Sequence, residues 1–104
     1  MDCDVNGNEH GCSGGTLEGS YNFIIRNRGI TSATNYPYTA TAGTCQTSEA
    51  VATIKGYEYV PENSELSLMK AAANQPMSVV IDAGGWDFTF YSGGLFTGPC
   101  GTDY

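Results

Sequence analysis

The spacing of apolar residues predicts a helix near the start of the chain. Leu17, Tyr21, Ile24 and Ile25 recur at intervals of four, three and one, which places them on one face of an α-helix. Gly29 follows the periodic stretch, and glycine commonly ends a helix. The helix is therefore expected to begin near Leu17 and to stop at Gly29.

A second helix is predicted in the middle of the chain. Asn63 can accept a hydrogen bond from a first-turn amide, and the glutamates beside it favour the positive end of a helix dipole. Leu66, Met69 and Ala73 are expected to form the inner face of this helix. The Asn-Gln-Pro sequence at 74–76 is expected to end it.

Other stretches predict extended or irregular structure. Residues 50–60 are rich in β-branched and aromatic side chains, which favours a strand. The apolar run within 77–83 predicts a buried strand, and the aromatic residues set between glycines in 84–104 suit short strands and tight turns. Residues 30–47 predict a long ordered loop that needs a covalent staple, for which Cys45 is the candidate.

Composition and charge restrict the possible functions. The chain has 104 residues, 40% of them hydrophobic, which is the size of one small domain. Its net charge of -7 argues against a nucleic acid partner, because a phosphate backbone requires a basic surface and only four lysine and arginine residues are present. No apolar run approaches the length that crosses a bilayer, so no membrane partner is expected.

The cysteines admit several kinds of chemistry. In a short, glycine-rich chain, four cysteines suggest disulfides formed in an oxidising compartment. Zinc is the competing use, but the spacing of Cys3, His10 and Cys12 matches no common zinc motif, and Cys45 or Cys100 would have to supply the fourth ligand. A Cys12–His10 nucleophile pair is also conceivable; the alternative is a solvated His10 beside a disulfide-bonded Cys12. We expect no metal and no cofactor.

Acid–base catalysis by paired carboxylates, either Asp2 with Asp4 or Asp82 with Asp87, is a further hypothesis. Asp2 and Asp4 lie in a loop at the start of the chain, where solvation is expected. Asp82 ends the predicted strand at 77–83, where a hydrogen-bonding partner or access to solvent is expected. None of these residues is therefore predicted to be catalytic.

Two segments at opposite ends of the chain carry a family signature. The first comprises Cys3 and the sequence Gly-Cys-Ser-Gly-Gly at 11–15, and the second is Tyr-Ser-Gly-Gly-Leu-Phe-Thr-Gly-Pro-Cys-Gly-Thr at 91–102. Four shorter segments lie between them in the family's order and spacing: Tyr-Pro-Tyr at 36–38, Gly-Thr-Cys at 43–45, Ala-Asn-Gln-Pro at 73–76 and Val-Val-Ile-Asp-Ala at 79–83. Over essentially its whole length the chain resembles the papain-like cysteine peptidases, in particular the plant enzymes.

The resemblance implies an α+β fold with two lobes, one mainly helical and one built around an antiparallel sheet. Residues 1–47 would belong to the helical lobe and residues 48–104 to the β-sheet lobe. The papain-like fold would be incomplete, because the chain would comprise the end of the first lobe and the start of the second.

The resemblance also implies hydrolysis of peptide bonds by a cysteine and a histidine that these 104 residues do not contain. In the family, the nucleophile lies in a Gln-Gly-x-Cys-Gly-Ser-Cys-Trp motif upstream of the position matching Met1. The histidine lies two positions beyond the one matching Tyr104. We therefore expect the central part of a papain-like cysteine endopeptidase, inactive alone, with no catalytic residue of its own.

Each cysteine has a counterpart in the family. Cys3 matches a position that forms a disulfide with the position matching Cys45, so this bridge can close within the chain. Cys12 and Cys100 match positions whose partners lie outside these residues. The resemblance therefore implies one internal disulfide.

Seven residues match substrate-binding positions of the family. The backbone of Gly14 and Gly15 would line the cleft, and Gly15 would hydrogen-bond an extended peptide, which a side chain there would obstruct. A mostly apolar pocket would receive the substrate side chain two residues before the scissile bond, so a hydrophobic residue is expected there. The pocket positions match Thr16, Leu17, Val80 and Tyr104, with Ala83 nearby. For Leu17 and Val80 the alternative is core packing.

The partners implied by the resemblance are peptide or protein substrates, cystatin-type inhibitors and a propeptide. The implied location is the secretory pathway, ending in a vacuole or lysosome or outside the cell. The alternative function belongs to another class: a non-catalytic, secreted, disulfide-bearing module or truncated homologue that binds peptides or a partner.

Overall fold

The computed structural model describes residues 1–46 and 48–104, which divide into two compact units, Met1–Glu62 and Asn63–Tyr104. Within these residues the helices are α1 (Leu17–Arg26), α2 (Glu65–Ala72) and α3 (Trp86–Thr89), preceded by a turn of 3-10 helix at Gly11–Ser13. None of the helices in the described residues is long and apolar enough to cross a membrane. Thr47, the last residue of the predicted helical lobe, lies outside the described residues, and the lobe boundary stays a prediction.

Helix α1 forms where the apolar spacing predicts it. Thr16 is its N-cap, and the Thr16 hydroxyl accepts a hydrogen bond from the Gly19 amide at 3.1 Å. The helix ends at Arg26. Just beyond it, Gly29 has a φ of 141° and donates its amide hydrogen to the Ile24 carbonyl at 3.0 Å. This conformation favours glycine, but the helix itself ends three residues before the predicted stop at Gly29.

Helix α2 has a different cap from the one predicted. Ser64 is the N-cap, and its hydroxyl accepts a hydrogen bond from the Ser67 amide at 3.2 Å. The prediction that Asn63 caps the helix is wrong, because Asn63 has a φ of 54° and belongs to the preceding turn. Asparagine tolerates this left-handed conformation better than most residues, which explains its place before the cap.

The predicted strands are not formed within the described residues. Residues 50–60 contain one isolated antiparallel bridge, in which the Ile30 amide donates to the Ala52 carbonyl at 2.9 Å. Residues 77–83 form no strand within the described part of the chain, and 84–104 contains α3 where the composition predicts short strands. A strand requires a neighbour to accept its backbone hydrogen bonds, and the described residues provide none beyond this bridge.

Large apolar side chains are exposed throughout the described residues. Leu66 and Met69 on α2 are 56% and 64% exposed, and Ala73 is exposed as well. Each residue of the Val-Val-Ile run at 79–81 is at least 50% exposed. The predicted inner face of α2 and the predicted burial of the apolar run within 77–83 are therefore wrong for this structure, since these apolar side chains are exposed. Exposed apolar area of this extent is typical of a surface that belongs to a larger core or interface.

Candidate functional site

The loop after α1 is tied to the start of the chain by a covalent bond and by hydrogen bonds. Cys3 and Cys45 form a disulfide with their Cα atoms 4.7 Å apart, as the sequence implies. Asp2 accepts hydrogen bonds from the Tyr36 hydroxyl at 2.7 Å and the Gly43 amide at 2.9 Å. These bonds lower the pKa of Asp2, and the carboxylate raises the pKa of Tyr36. The expectation that Asp2 is merely solvated is wrong, because the loop folds back onto it.

The other cysteines are free, exposed thiols. The Cys12 sulfur lies 3.7 Å from the Met1 sulfur, and no hydrogen bond in the described part of the chain joins it to the His10 imidazole. Since Cys3 is committed to the disulfide, the candidate zinc ligands are not assembled. The described residues contain no cluster of histidine, cysteine and carboxylate side chains arranged to hold a metal.

Gly14 and Gly15 connect the 3-10 turn to α1. Gly14 has a φ of 104°, a conformation that favours glycine. Its carbonyl accepts a hydrogen bond from the His10 amide at 2.9 Å, and its amide donates to the Gly11 carbonyl at 3.4 Å. Gly15 is exposed, and neither its N–H nor its C=O makes a hydrogen bond within the described residues. A free donor and acceptor on one exposed residue can pair with an extended peptide as a neighbouring strand would.

Behind Gly15 lies Glu9, the buried charged residue of the described part of the chain, at 8% exposure. Its carboxylate accepts hydrogen bonds from the Thr16 hydroxyl at 2.6 Å and the Thr16 amide at 3.0 Å. These bonds lower the pKa of Glu9. A Cβ atom at Gly15 or Gly19 would collide with the Glu9 carboxylate, so both glycines leave room for it.

Sequence analysis missed Glu9 because it lies in a polar loop where nothing local distinguishes it from its neighbours. The available signal is indirect. Gly15 and Gly19 are four residues apart, a spacing that fits one bulky neighbour beside the start of α1.

An open polar cleft of about 280 Å³ lies beside Glu9 in the first unit. Its lining includes Asp4, Asn22 and Arg26. The Arg26 guanidinium lies 4.0 Å from the Asp4 carboxylate, whose side chain is 13% exposed, so the expectation of a solvated Asp4 is also wrong. The cleft is polar and does not correspond to the apolar pocket that the family resemblance implies.

In the second unit, Asp82 holds the end of the chain in a comparable way. Its carboxylate accepts hydrogen bonds from the Gly84 amide at 3.0 Å and from the Asp103 amide at 3.1 Å. A Cβ atom at Gly101 would collide with this carboxylate. The prediction that Asp82 is partnered is therefore confirmed, and the segment at 101–103 is held next to Ala83.

The predicted substrate-binding residues fall into two groups. Gly14, Gly15, Thr16 and Leu17 are consecutive at the entry to α1 in the first unit. The other three belong to the second unit: Val80, Ala83 and Tyr104. All seven are exposed, so core packing does not account for Leu17 or Val80 in this structure. Their substrate-binding role stays a prediction.

Comparisons with known proteins identify the family. The chain matches the papain family of cysteine proteases over residues 1–104. It is 54% identical over 104 residues to the senescence-specific cysteine protease SAG39 of Oryza sativa subsp. indica, covering 99% of this chain and 31% of that protein. It is 53% identical over 106 residues to the KDEL-tailed cysteine endopeptidase CEP2 of Arabidopsis thaliana, covering 99% and 29%. Its structure is similar to that of the bromelain protease from Ananas comosus in complex with the E64 inhibitor, with a TM-score of 0.85, 44% identity, and coverage of 97% of this chain and 46% of that chain.

The chain therefore belongs to the papain family of cysteine proteases. The likeness to bromelain confirms the expected α+β papain-like fold, of which this chain represents a part. The chain spans about a third of the length of the curated relatives it matches.

Proposed function

We propose that the chain is the central part of a papain-like cysteine endopeptidase and contributes part of its substrate-binding surface. Membership of the family and the protease relatives support hydrolysis of peptide bonds as the activity of the whole protein. The reaction would be acyl transfer through a cysteine thiolate activated by histidine, and both groups would lie outside this chain. The role left to these residues is to bind and align the peptide.

The observation that carries this proposal is the backbone of Gly15. Its N–H and C=O are exposed and make no hydrogen bond within the described residues, while the residues on both sides of it are hydrogen-bonded. An extended substrate could therefore pair with Gly15 as an added strand. Because this backbone is already ordered, little conformational entropy would be lost on binding.

The side chains next to Gly15 would contribute to substrate selection. Thr16 and Leu17 would contact the substrate side chain two residues before the scissile bond. By family resemblance, Val80, Ala83 and Tyr104 would also contribute to binding this substrate side chain. Apolar side chains predominate among these exposed residues, which favours a hydrophobic substrate residue.

The proposal extends to partners and to the cellular compartment. Peptides or proteins would be the substrates, and cystatin-type inhibitors and a propeptide would be further partners. The Cys3–Cys45 disulfide supports an oxidising compartment, and the KDEL tail of the Arabidopsis relative is typical of the secretory pathway. We propose a vacuole or lysosome, or the extracellular space, as the destination.

A hybrid protease tests the proposal. In it, residues 1–104 replace the matching segment of bromelain, and an epoxide that alkylates the active-site thiolate counts the competent sites. The hybrid should cleave peptides with a hydrophobic residue two positions before the scissile bond faster than peptides with glycine there. Gly15→Ala should lower kcat/KM for these peptides by about tenfold. Gly56→Ala is the matched control, since a Cβ atom at Gly56 meets nothing within 4 Å.

Two results would contradict the proposal. One is a hybrid that reacts with the epoxide but shows no dependence on Gly15 or on the hydrophobic substrate residue. The other is turnover by the 104-residue chain alone, which should be inactive. Turnover lost on Cys12→Ser would favour a local nucleophile, and binding of an extended peptide by the isolated chain without cleavage in the hybrid would favour the non-catalytic module.

A further inference from the structure

We propose that Glu9 is a positioning residue, whose buried carboxylate fixes the Gly15 backbone in the orientation that binds an extended substrate. The inference rests on the proposed function and adds to it a residue that touches no substrate. Glu9 lies six residues before Gly15 and acts through Thr16.

The orientation of the peptide plane between Gly15 and Thr16 is fixed by Glu9. A trans peptide is planar, and its C=O and N–H point in opposite directions. The Thr16 N–H is directed at the Glu9 carboxylate, with nitrogen–oxygen distances of 3.0 Å and 3.3 Å. The Gly15 C=O, which belongs to the same plane, must therefore point away from Glu9.

The preceding peptide plane is fixed in the same way. The Gly14 C=O accepts a hydrogen bond from the His10 amide at 2.9 Å, so it is directed toward the loop that contains Glu9. The Gly15 N–H lies in the same plane and points the other way. The two planes together turn both hydrogen-bonding groups of Gly15 outward, and Glu9 and His10 are adjacent residues that hold one plane each.

The surroundings of Glu9 agree with a fixed position. Its carboxylate is held by the Thr16 hydroxyl as well as by the Thr16 amide. Gly15 and Gly19 have no side chains at the points where a Cβ atom would displace it. The negative charge also lies beside the first turn of α1, where the helix dipole is positive. A neutral amide at this position would lack the charge and would offer a single acceptor oxygen in place of the two that the Thr16 amide and hydroxyl now share.

The test uses Glu9→Gln in the bromelain hybrid, since this change keeps the size of the side chain. Two substrates are compared: a peptide long enough to pair with Gly15, and a small ester of a single amino acid that cannot reach it. We expect KM for the peptide to rise by about tenfold, while kcat for the ester stays unchanged. Glu62→Gln is the matched control, because Glu62 is exposed and makes no hydrogen bond or ion pair within the described residues.

A merely structural role for Glu9 gives a different pattern. In that case Glu9→Gln would reduce the number of sites that react with the epoxide, or would lower the turnover of both substrates alike. Either result overturns the proposal. An unchanged KM for the peptide overturns it as well.

Amide hydrogen exchange keeps the test independent of the proposed function. The Thr16 amide should be protected from exchange in the hybrid, and its protection factor should fall about tenfold or more in Glu9→Gln. The Gly15 amide should exchange rapidly in both proteins. If the hybrid does not favour the peptide over the ester, the proposed function fails. In that case, loss of Thr16 protection still supports the fixing of this backbone by Glu9, and unchanged protection overturns it.

Discussion

The two compact units are stabilised by different kinds of contact. In the first unit, residues far apart in sequence are joined by the Cys3–Cys45 disulfide, by the hydrogen bond between Tyr36 and Asp2, and by a hydrogen bond from the Tyr59 hydroxyl to Glu18 at 3.0 Å. In the second unit, a long-range hydrogen bond joins the Asp103 amide to the Asp82 carboxylate. Covalent and polar links can therefore define a shape without a buried apolar core, at least over Met1–Glu62.

Aromatic packing is the main apolar contact of the second unit. The Phe88 and Phe96 ring centres are 5.7 Å apart at 74°, and those of Tyr91 and Phe96 are 5.9 Å apart at 83°, which are favourable edge-to-face geometries. Trp86 and Phe90 also stack, but both are more than 70% exposed. The second unit should therefore depend on the half-buried ring of Phe96.

Removal of the disulfide should lower the stability more than the other changes do, and the loss should be confined to the first unit. Replacing Cys3 and Cys45 by serine releases a loop with a sequence separation of 42. In the chain-entropy model this costs about 4 kcal/mol of stability. Amide exchange followed by peptide mass spectrometry should show loss of protection in Met1–Glu62 alone. Cys12→Ser is the control, and equal losses in both units would show that their stabilities are coupled.

Truncation of Phe96 should have the opposite regional effect. Phe96→Ala removes two edge-to-face contacts, and the expected loss of about 1 to 3 kcal/mol should be confined to the second unit. Phe90→Ala provides the control, because Phe90 is 73% exposed and its loss should change stability by less than about 0.5 kcal/mol. Chemical denaturation monitored by near-ultraviolet circular dichroism would distinguish the two variants. Equal destabilisation would rule out the special position of Phe96.

Gly19→Ala tests whether the polar links of the first unit outweigh helix propensity. Alanine is favoured over glycine in a helix interior by about 1 kcal/mol, so an ordinary α1 would become more stable. We expect net destabilisation instead, because the new Cβ atom would displace the Glu9 carboxylate from Thr16. In a Glu9→Ala background the same change should destabilise less, because the remaining close neighbour of the new Cβ atom is the Thr16 hydroxyl. Thermal unfolding of the parent chain, the two single variants and the double variant gives the sign of each change in stability. Stabilisation by Gly19→Ala in both backgrounds would contradict the predicted clash.

Acidification should lower the stability by the smallest amount, and this loss should again fall in the first unit. Hydrogen bonds lower the pKa of Glu9 and of Asp2, so these carboxylates bind protons less readily in the folded state than in the unfolded state. Their stabilising contribution is present above the ordinary carboxyl pKa of about 4, and it is lost as the pH falls through the lowered folded-state values. Protection of the Thr16 and Gly43 amides should decline over that range. The decline should be absent from Glu9→Gln combined with Asp2→Asn, in which both contributions are already removed.

Local sequence patterns predicted the features that depend on local physics. Helix α1 follows from apolar spacing and from a glycine stop, and the family resemblance implied the Cys3–Cys45 pairing. The cap of α2 was predicted at Asn63 and lies at Ser64. Both residue types can cap a helix, and the geometry of the preceding turn decides between them. The seven predicted substrate-binding positions came from family resemblance and from no local rule.

The sequence by itself determined the family, the main helix of the first unit and, through the family resemblance, the Cys3–Cys45 disulfide. Only the tertiary structure revealed that Glu9 is buried against Thr16, that Asp82 accepts a hydrogen bond from Asp103, and that the apolar run at 79–81 lies exposed with no strand partner among the described residues. The apolar spacing of a helix depends on residues within one or two turns of each other. A buried carboxylate with its hydrogen-bond donors, or a paired strand, depends on which distant residues the fold brings close. A short window of sequence does not contain that information.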